Sequence, residues 1–212
     1  MFSAEQIANV VNKTLEEKGS RKFTQSIELI VNFKDIDFSK SENRLNLDIV
    51  LPKGRGKHIP VVVFADGNVA SEAKAAGVDV VITAAELPSY DKGKIKELAK
   101  SAEFFAQPQL MMAVGKNFGQ LLGARGRVPK PLVGNIATVV KNARNTVHVR
   151  TRGKNLPTVH CAIGTEKMDV NDIVENAMAV LSAIVGRVGE HALNSVYVKL
   201  SMGKAHKVEG SD

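Results

Sequence analysis

Within Ser195–Lys207, SVYVKLSMGKAHK, the chain gathers hydroxyls at Ser195 and Ser201, the Tyr197 phenol, the Met202 thioether, a bare backbone at Gly203 and cations at Lys199, Lys204 and Lys207. That mixture suits a structured polyanion better than a small molecule. Phosphates take the charge, while hydroxyls and peptide groups reach sugar 2'-hydroxyls and base edges. Val196, Val198 and Leu200 alternate with polar partners, which is the period of a strand with one buried and one polar face. Taken alone, the stretch also fits a plain last strand running into a basic tail.

Other chemistries lack their residues. Asp66-Gly-Asn-Val-Ala70 follows an apolar run but has no spaced glycines on which a pyrophosphate could sit. Gly115-Lys116 and Gly54-Arg-Gly-Lys57 have no Ser or Thr after the lysine to hold a magnesium ion. His58, His148, His160, His191 and His206 never pair at metal-ligand spacing, and Asp79 and Asp91 have no nucleophile or base beside them in sequence. The expectation is therefore no catalytic residue, no metal and no cofactor: not an enzyme. His160 reads as a surface side chain on a strand, one that could face RNA.

Positive charge is what remains concentrated. The net charge is +7, from 29 Lys and Arg against 22 Asp and Glu, which favours a nucleic-acid partner. Gly123-Ala-Arg-Gly-Arg-Val-Pro-Lys-Pro131 puts Arg125, Arg127 and Lys130 on a stiff loop, and two further loops carry Lys53, Arg55, Lys57, Arg150, Arg152 and Lys154. Such loops contact phosphates without reading sequence, and each also fits plain solubilising charge. The single Cys161 excludes an intramolecular disulfide and fits a reducing cytosol. No signal segment or apolar run of about 20 residues is present, so a soluble, cytoplasmic protein without a membrane partner is expected.

The elements that would position these residues come from both ends of the chain. Ser3 with Gln6 forms a capping-box signature before Ile7, Val10, Val11, Thr14 and Leu15. Residues 27–33 and 45–51 alternate as two strands, expected to form a hairpin. Residues 158–163 form another strand, Asp169 opens a helix with a nearly continuous apolar stripe to Val188, and residues 195–201 close the chain. Neither end can bury a core alone. The predicted solution is an α+β split domain formed by both termini, residues 1–61 and 151–212, with a four-stranded antiparallel sheet and two helices. Its open face would carry Glu28, Arg44, Asn46, Thr158, His160, Tyr197 and Lys199.

Residues 62–150 have another rhythm. Apolar strands at 60–65, 78–83, 104–106 and 147–150 alternate with helices near 67–76, 92–100, 110–122 and 136–143, which predicts an inserted three-layer α/β, Rossmann-like domain with a mostly parallel sheet. The loops 52–57 and 150–155 read as a paired, flexible crossing that could hinge.

Four segments together, Lys22-Phe-Thr-Gln-Ser-Ile-Glu28, Leu51-Pro-Lys-Gly-Arg-Gly-Lys57, Leu122-Gly-Ala-Arg-Gly-Arg-Val-Pro-Lys-Pro131 and Ser195-Val-Tyr-Val-Lys-Leu-Ser-Met-Gly203, resemble in order and spacing the ribosomal protein L-one family, above all its archaeal form. The family usually shows threonine where this chain has Ser201, proline where it has Lys204, and proline where it has Ala124. The resemblance implies an RNA-binding terminal domain carrying an inserted one, at the mobile stalk of the large ribosomal subunit. It implies as partners large-subunit rRNA, exit-site tRNA, the rest of the subunit and the protein's own mRNA, in its leader or coding region, for a chain that is monomeric when free. By motif match the RNA-binding residues are Lys22, Phe23, Ser26, Glu28, Ser195, Ser201, Met202 and Gly203. Lys53, Arg55, Lys57, Arg125, Arg127, Lys130, Lys199 and Lys204 would add secondary contacts. Two rivals stand beside this reading: a nucleotide-dependent enzyme using the α/β insert, and a charge-driven binder of any nucleic acid.

Overall fold

The computed structural model describes residues 2–19, 21–151 and 156–209. Its elements in chain order begin with α1 (Ala4–Leu15), β1 (Ser26–Phe33), β2 (Asn46–Val50), β3 (Val61–Phe64), α2 (Gly67–Ala75) and β4 (Val80–Ile82). There follow α3 (Lys92–Leu98), β5 (Glu103–Ala106), α4 (Met111–Gly123), β6 (Lys130–Pro131), α5 (Ile136–Asn145) and β7 (Thr146–Arg150). The chain closes with β8 (Thr158–Thr165), α6 (Val170–Val188), β9 (Leu193–Leu200) and β10 (Ala205–Lys207). It is a mixed α/β protein with a four-stranded antiparallel sheet and a separate parallel sheet. Contacts divide it into two units, Met1–Lys57 with Asn145–Asp212, and His58–Arg144.

In the first unit α1 starts as its spacing predicts. Ser3 Oγ accepts from Gln6 N at 3.2 Å and Gln6 Oε1 accepts from Ser3 N at 2.8 Å, satisfying two of the helix's orphan donors. Asp169 stands at the N-cap of α6 but makes no side-chain cap bond. The sheet order is β10-β9-β1-β8. Ile27, Leu29, Val31, Val196, Val198, Leu200, Val159 and Ile163 are buried on one face and share a core with Ile7 and Val11 of α1 and Ile173, Ala177, Val180 and Ile184 of α6. The other face carries Glu28, Asn32, Thr158, His160, Tyr197 and Lys199.

Three expectations are corrected. β1 and β2 are not a hairpin: β1 pairs with β8 and β9, while β2 pairs antiparallel with β7, Asn46 opposite Arg150 and Val50 opposite Thr146. The connection between them is too long for a tight turn. It folds back instead, with Phe38 edge-on to Phe33 at 5.2 Å and Leu45 buried in the same core. Arg44 and Asn46 therefore do not belong to the four-stranded sheet. The fourth strand is β10, which has no apolar alternation and pairs antiparallel with β9. Finally, β7 follows α5 directly and packs with the first unit, not with the parallel sheet.

The loop before the chain enters the second unit is fastened to the first. Fully buried Asn176 on α6 accepts from Lys53 N at 3.1 Å and donates to Gly54 O and Ile163 O at 2.8 Å each. Gly56 has φ +64°, and a Cβ there would fall 2.5 Å from Met168 Sδ. Only glycine fits that turn. Leu51 N donates to Asn145 O at 3.0 Å, so the outgoing and returning segments meet on this unit. Of the expected returning joint, Arg152 and Lys154 lie outside the described residues.

In the second unit the parallel order is β4-β3-β5-β6. Val62, Phe64, Phe104 and Ala106 face a core with Ile95 of α3 and Val114, Phe118 and Leu122 of α4. Val61, Val63 and Phe105 face Ala70 and Ala73 of α2 and Ile136, Val140 and Ala143 of α5. Strands apolar on both faces are what a sheet covered on both sides requires.

Two outcomes follow from this packing. Replacing residues 58–144 by a short glycine linker keeps β2 and β7 together, and the shortened chain should unfold cooperatively in urea. Cutting across 62–150 removes β7, exposes Leu47 and Ile49, and should lower the urea midpoint or abolish the transition; equal midpoints would show that the β2–β7 pair contributes nothing. Burial in the core pushes the Cys161 thiol up to about 12, the Arg55 charge opposing and the Glu28 charge adding. The native thiol thus keeps its proton where the unfolded one has lost it. Stability from this group is complete below the usual thiol value of about 8.5 and falls as pH rises toward 12. A thiol reagent near pH 8 should label the unfolded chain and spare the native one.

Candidate nucleic-acid interface

The antiparallel register of β1 on β9 sets Glu28 opposite Lys199 and Ile27 opposite Leu200. It thereby carries the end of β9 to the start of β1. Ser201 N donates to Ser26 O at 3.0 Å, and Ser201 Oγ donates to Glu28 Oε1 at 3.0 Å and lies 3.3 Å from Ser26 O. Lys199 Nζ donates to Ser201 O at 3.1 Å. Gly203 N bonds back to Leu200 O at 2.9 Å, closing a tight turn with Ser201 and Met202 at its tip. Met202 is 62% exposed and Phe23 55%. Met202 thus stands bare beside the Ser201 hydroxyl, the Glu28 carboxylate and Lys199, with Lys204 two residues on, while Phe23 and Lys22 precede the start of β1 in the chain.

Residues outside the expected set hold this edge. Gln25, 1% exposed, accepts from Met202 N through Oε1 at 3.1 Å. Glu166 clamps Gln25 in turn: its Oε1 accepts from Gln25 N at 3.0 Å, its Oε2 from Gly19 N at 3.3 Å, and its own N donates to Gln25 O at 3.1 Å. Glu17 Oε2 accepts from Lys204 N at 3.3 Å and would lie 2.8 Å from a Cβ at Gly203, so that glycine lets the α1 end approach. Gln25 interrupts no apolar alternation, since it stands in phase with Ile27, Leu29 and Val31; a glutamine in that phase was the signal available.

The structure brings together Ser26, Glu28, Ser201, Met202 and Gly203, with Lys199 and Lys204 beside them. Ser195 is elsewhere. It lies six residues back along β9, about 20 Å away at strand rise, 9% exposed, with its Oγ accepting from Asn32 Nδ2 at 3.0 Å. Lys53 is held by Asp172 at 3.4 Å and Glu175 at 3.5 Å; the hydrogen bond to Asp172 leads in raising its pKa. Arg55 donates to Thr146 O at 3.2 Å, and Lys57 is exposed. In the second unit Arg127 pairs with Glu103, which is 4% exposed, Lys130 starts β6, and Arg125 is exposed.

The acids weighed as catalytic are structural. Asp79 accepts from Val61 N at 2.9 Å and from Arg144 Nη2 at 3.1 Å, and its Oδ1 lies 2.7 Å from His58 Nε2. Burial works to raise its pKa, but these hydrogen bonds outweigh it and hold the carboxyl below its usual range. Asp91 caps Gly93 N at 2.7 Å, and Asp66 Oδ1 accepts from Ala84 N at 2.8 Å where a nucleotide phosphate would need open backbone. Among the described residues no group of three or more His, Cys, Asp or Glu could hold a metal ion, and no helix is long and apolar enough to cross a membrane.

Residues 13–204 match the family model described as the Ribosomal protein L1p/L10e family. The chain is similar to the large ribosomal subunit protein uL1 of Pyrococcus horikoshii, 42% identical over 217 residues, covering 99% of this chain and 98% of that one. That of Methanothermobacter thermautotrophicus is 42% identical over 211 residues, covering 96% and 99%. That of Thermoplasma acidophilum is 38% identical over 213 residues, covering 97% of each.

Gln25→Ala should leave the Met202 amide without its partner. We expect a loss of about 1–2 kcal/mol in urea unfolding and faster hydrogen exchange at Met202. Unchanged values would mean that the turn hydrogen bond alone holds the tip.

Proposed function

The chain belongs to the Ribosomal protein L1p/L10e family, and from that premise we propose how it works: as a non-catalytic constituent of the large ribosomal subunit, it grips folded large-subunit rRNA through the β1 start and the turn after β9. One observation carries this reading: Ser201 Oγ donates to Glu28 Oε1 at 3.0 Å, next to the exposed Met202. A carboxylate facing RNA is costly unless it meets donors. Held by Ser201, Glu28 keeps lone pairs free for 2'-hydroxyls or base amino groups, which DNA and bulk phosphate would not supply in the same places. Phe23 and Met202 offer apolar surface to sugars and bases.

The terminal pieces form, in this reading, one RNA-binding domain, and the cytoplasmic ribosome is its place of work. Release of exit-site tRNA and repression of the protein's own messenger belong to the same proposal. A messenger segment that folds to the ribosomal shape would meet the same hydroxyls and carboxylate when the protein is free. Lys22, Lys199 and Lys204 supply the phosphate contacts near the edge, with the more distant basic residues secondary.

A filter-binding titration on a fragment confined to the rRNA site should give a shallow salt dependence, a log–log slope of roughly 2 to 3, since each of about three phosphate contacts contributes roughly 0.7 to 0.9. Met202→Asp places a carboxylate against phosphates, and it should weaken that binding by about 100-fold or more with the urea midpoint unchanged. A folded variant that binds normally would move the RNA surface elsewhere. A steep slope, with bulk tRNA and DNA competing equally, would favour the charge-driven rival.

A further inference from the structure

We propose that the second unit carries its own nucleic-acid surface: the groove between α3 and α4, a docking site for the sugar–phosphate backbone of a structured RNA, bound by charge and not by sequence. The groove measures about 380 Å³ and is lined by Lys92 and Lys96 of α3 and by Lys116, Asn117 and Gln120 of α4, with no carboxylate among its walls. Lys92 and Lys96 are one helical turn apart and project together. None of the three lysines makes an ion pair among the described residues.

The neighbouring acids are already engaged. Glu97 is bound by Lys100 Nζ at 2.6 and 2.7 Å, and Asp91 is turned back onto Gly93 N. Glu97 also feels the Lys96 charge, but its carboxylate is held by Lys100 and does not line the groove, whose walls present an excess of positive charge to an incoming anion. Asn117 is half-committed, its Nδ2 donating to Ala113 O at 2.9 Å, while Gln120 is exposed and has both amide donors for a phosphate or a ribose hydroxyl.

α4 adds an independent feature. Val114, Phe118 and Leu122 face the core, whereas Gly115, Gly119 and Gly123 recur every fourth residue, and a Cβ at any of them would meet nothing within 4 Å. The fold does not need that face bare. A thick ribbon laid across Lys116 does, because missing side chains let it approach the helix backbone. Another polar groove, between α1 and β10, mixes Lys13 and Lys207 with Glu209 and lacks this single sign of charge.

The choice of RNA over other polyanions rests on the ribosomal reading above, and the two are tested by separate probes. For the groove the probe is a generic RNA duplex about two helical turns long, with the full chain. The triple variant Lys92→Gln, Lys96→Gln, Lys116→Gln should bind it about tenfold or more weakly near 0.1 M salt, with a log–log salt slope smaller by about two to three. Its binding to the confined rRNA fragment and its thermal unfolding should be unchanged. An unchanged slope on the duplex overturns the proposal. So does an equal loss from Lys34→Gln, Lys40→Gln, Lys141→Gln, which removes the same charge from exposed sites elsewhere, and so does polyphosphate competing as well per charge as the duplex. Failure of the edge reading shows instead in Met202→Asp on the rRNA fragment, a measurement the lysines do not enter.

Discussion

β1 cannot be satisfied by its neighbours in sequence. It lies inside the four-stranded sheet, with β8 on one side and β9 on the other, so both rows of its ladder bonds are made with segments from the far end of the chain. Its inward side chains, Ile27, Leu29, Val31 and Phe33, are buried under α1 from the start of the chain and α6 from the end. An eight-residue strand left without either partner would expose that row and all its N–H and C=O groups. The fold of this unit therefore waits on long-range pairing, which is entropically costly. Asn176 and the Leu51–Asn145 bond give that closure fixed points where the intervening residues leave and return.

The same pairing makes the candidate interface. Strand register alone brings Ser201 to Glu28, but register does not aim an exposed turn. That task falls to Gln25 and Glu166, which tie the turn, the start of β1 and the segment after β8 through backbone N–H groups. Both are acceptors, so they fix peptide positions without adding free positive charge. In the proposed reading, an edge so braced would give up little conformational entropy on binding RNA. Its selectivity then comes from where hydroxyl, carboxylate and thioether sit.

Much of this was legible in the sequence where local chemistry decides. The Ser3–Gln6 capping box, the α6 stripe and the switch from alternating strands to continuous apolar ones all act within a few residues, and each appears in the structure. The misses share one cause. β2 reads as a strand in either partnership, and nothing local says that β7 is its partner. β10, Ala205–Lys207, has no apolar side to betray it, because an edge strand of three residues is held by peptide groups that every sequence has. Of the expected site residues, Ser26, Glu28, Ser201, Met202 and Gly203 meet because they lie at adjoining ends of paired strands. Ser195 shares the strand but not the end, and its hydroxyl is taken by Asn32. The phase of Gln25 hinted at its burial, but its role was hidden because its partner Glu166 lies far along the chain.

The two surfaces differ in the physics they use. At the β1–β9 edge the polar groups are few, pre-bonded and flanked by apolar side chains, so most of the free energy must come from shape and from hydrogen bonds that water cannot replace. Such a contact would weaken little with salt and tolerate few RNA geometries. The proposed α3–α4 groove has the opposite character: three ammonium groups, two on α3 and one on α4, whose attraction would reach about a Debye length and fade as salt rises. A carboxylate at the first and none at the second is the signature of that difference. In the proposed reading Glu28 would repel a phosphate that came without donors, and so would select the RNA face presented to it. The lysine groove, as proposed, would accept any backbone. Under these two proposals the edge would define a register, and the groove would contribute affinity without one.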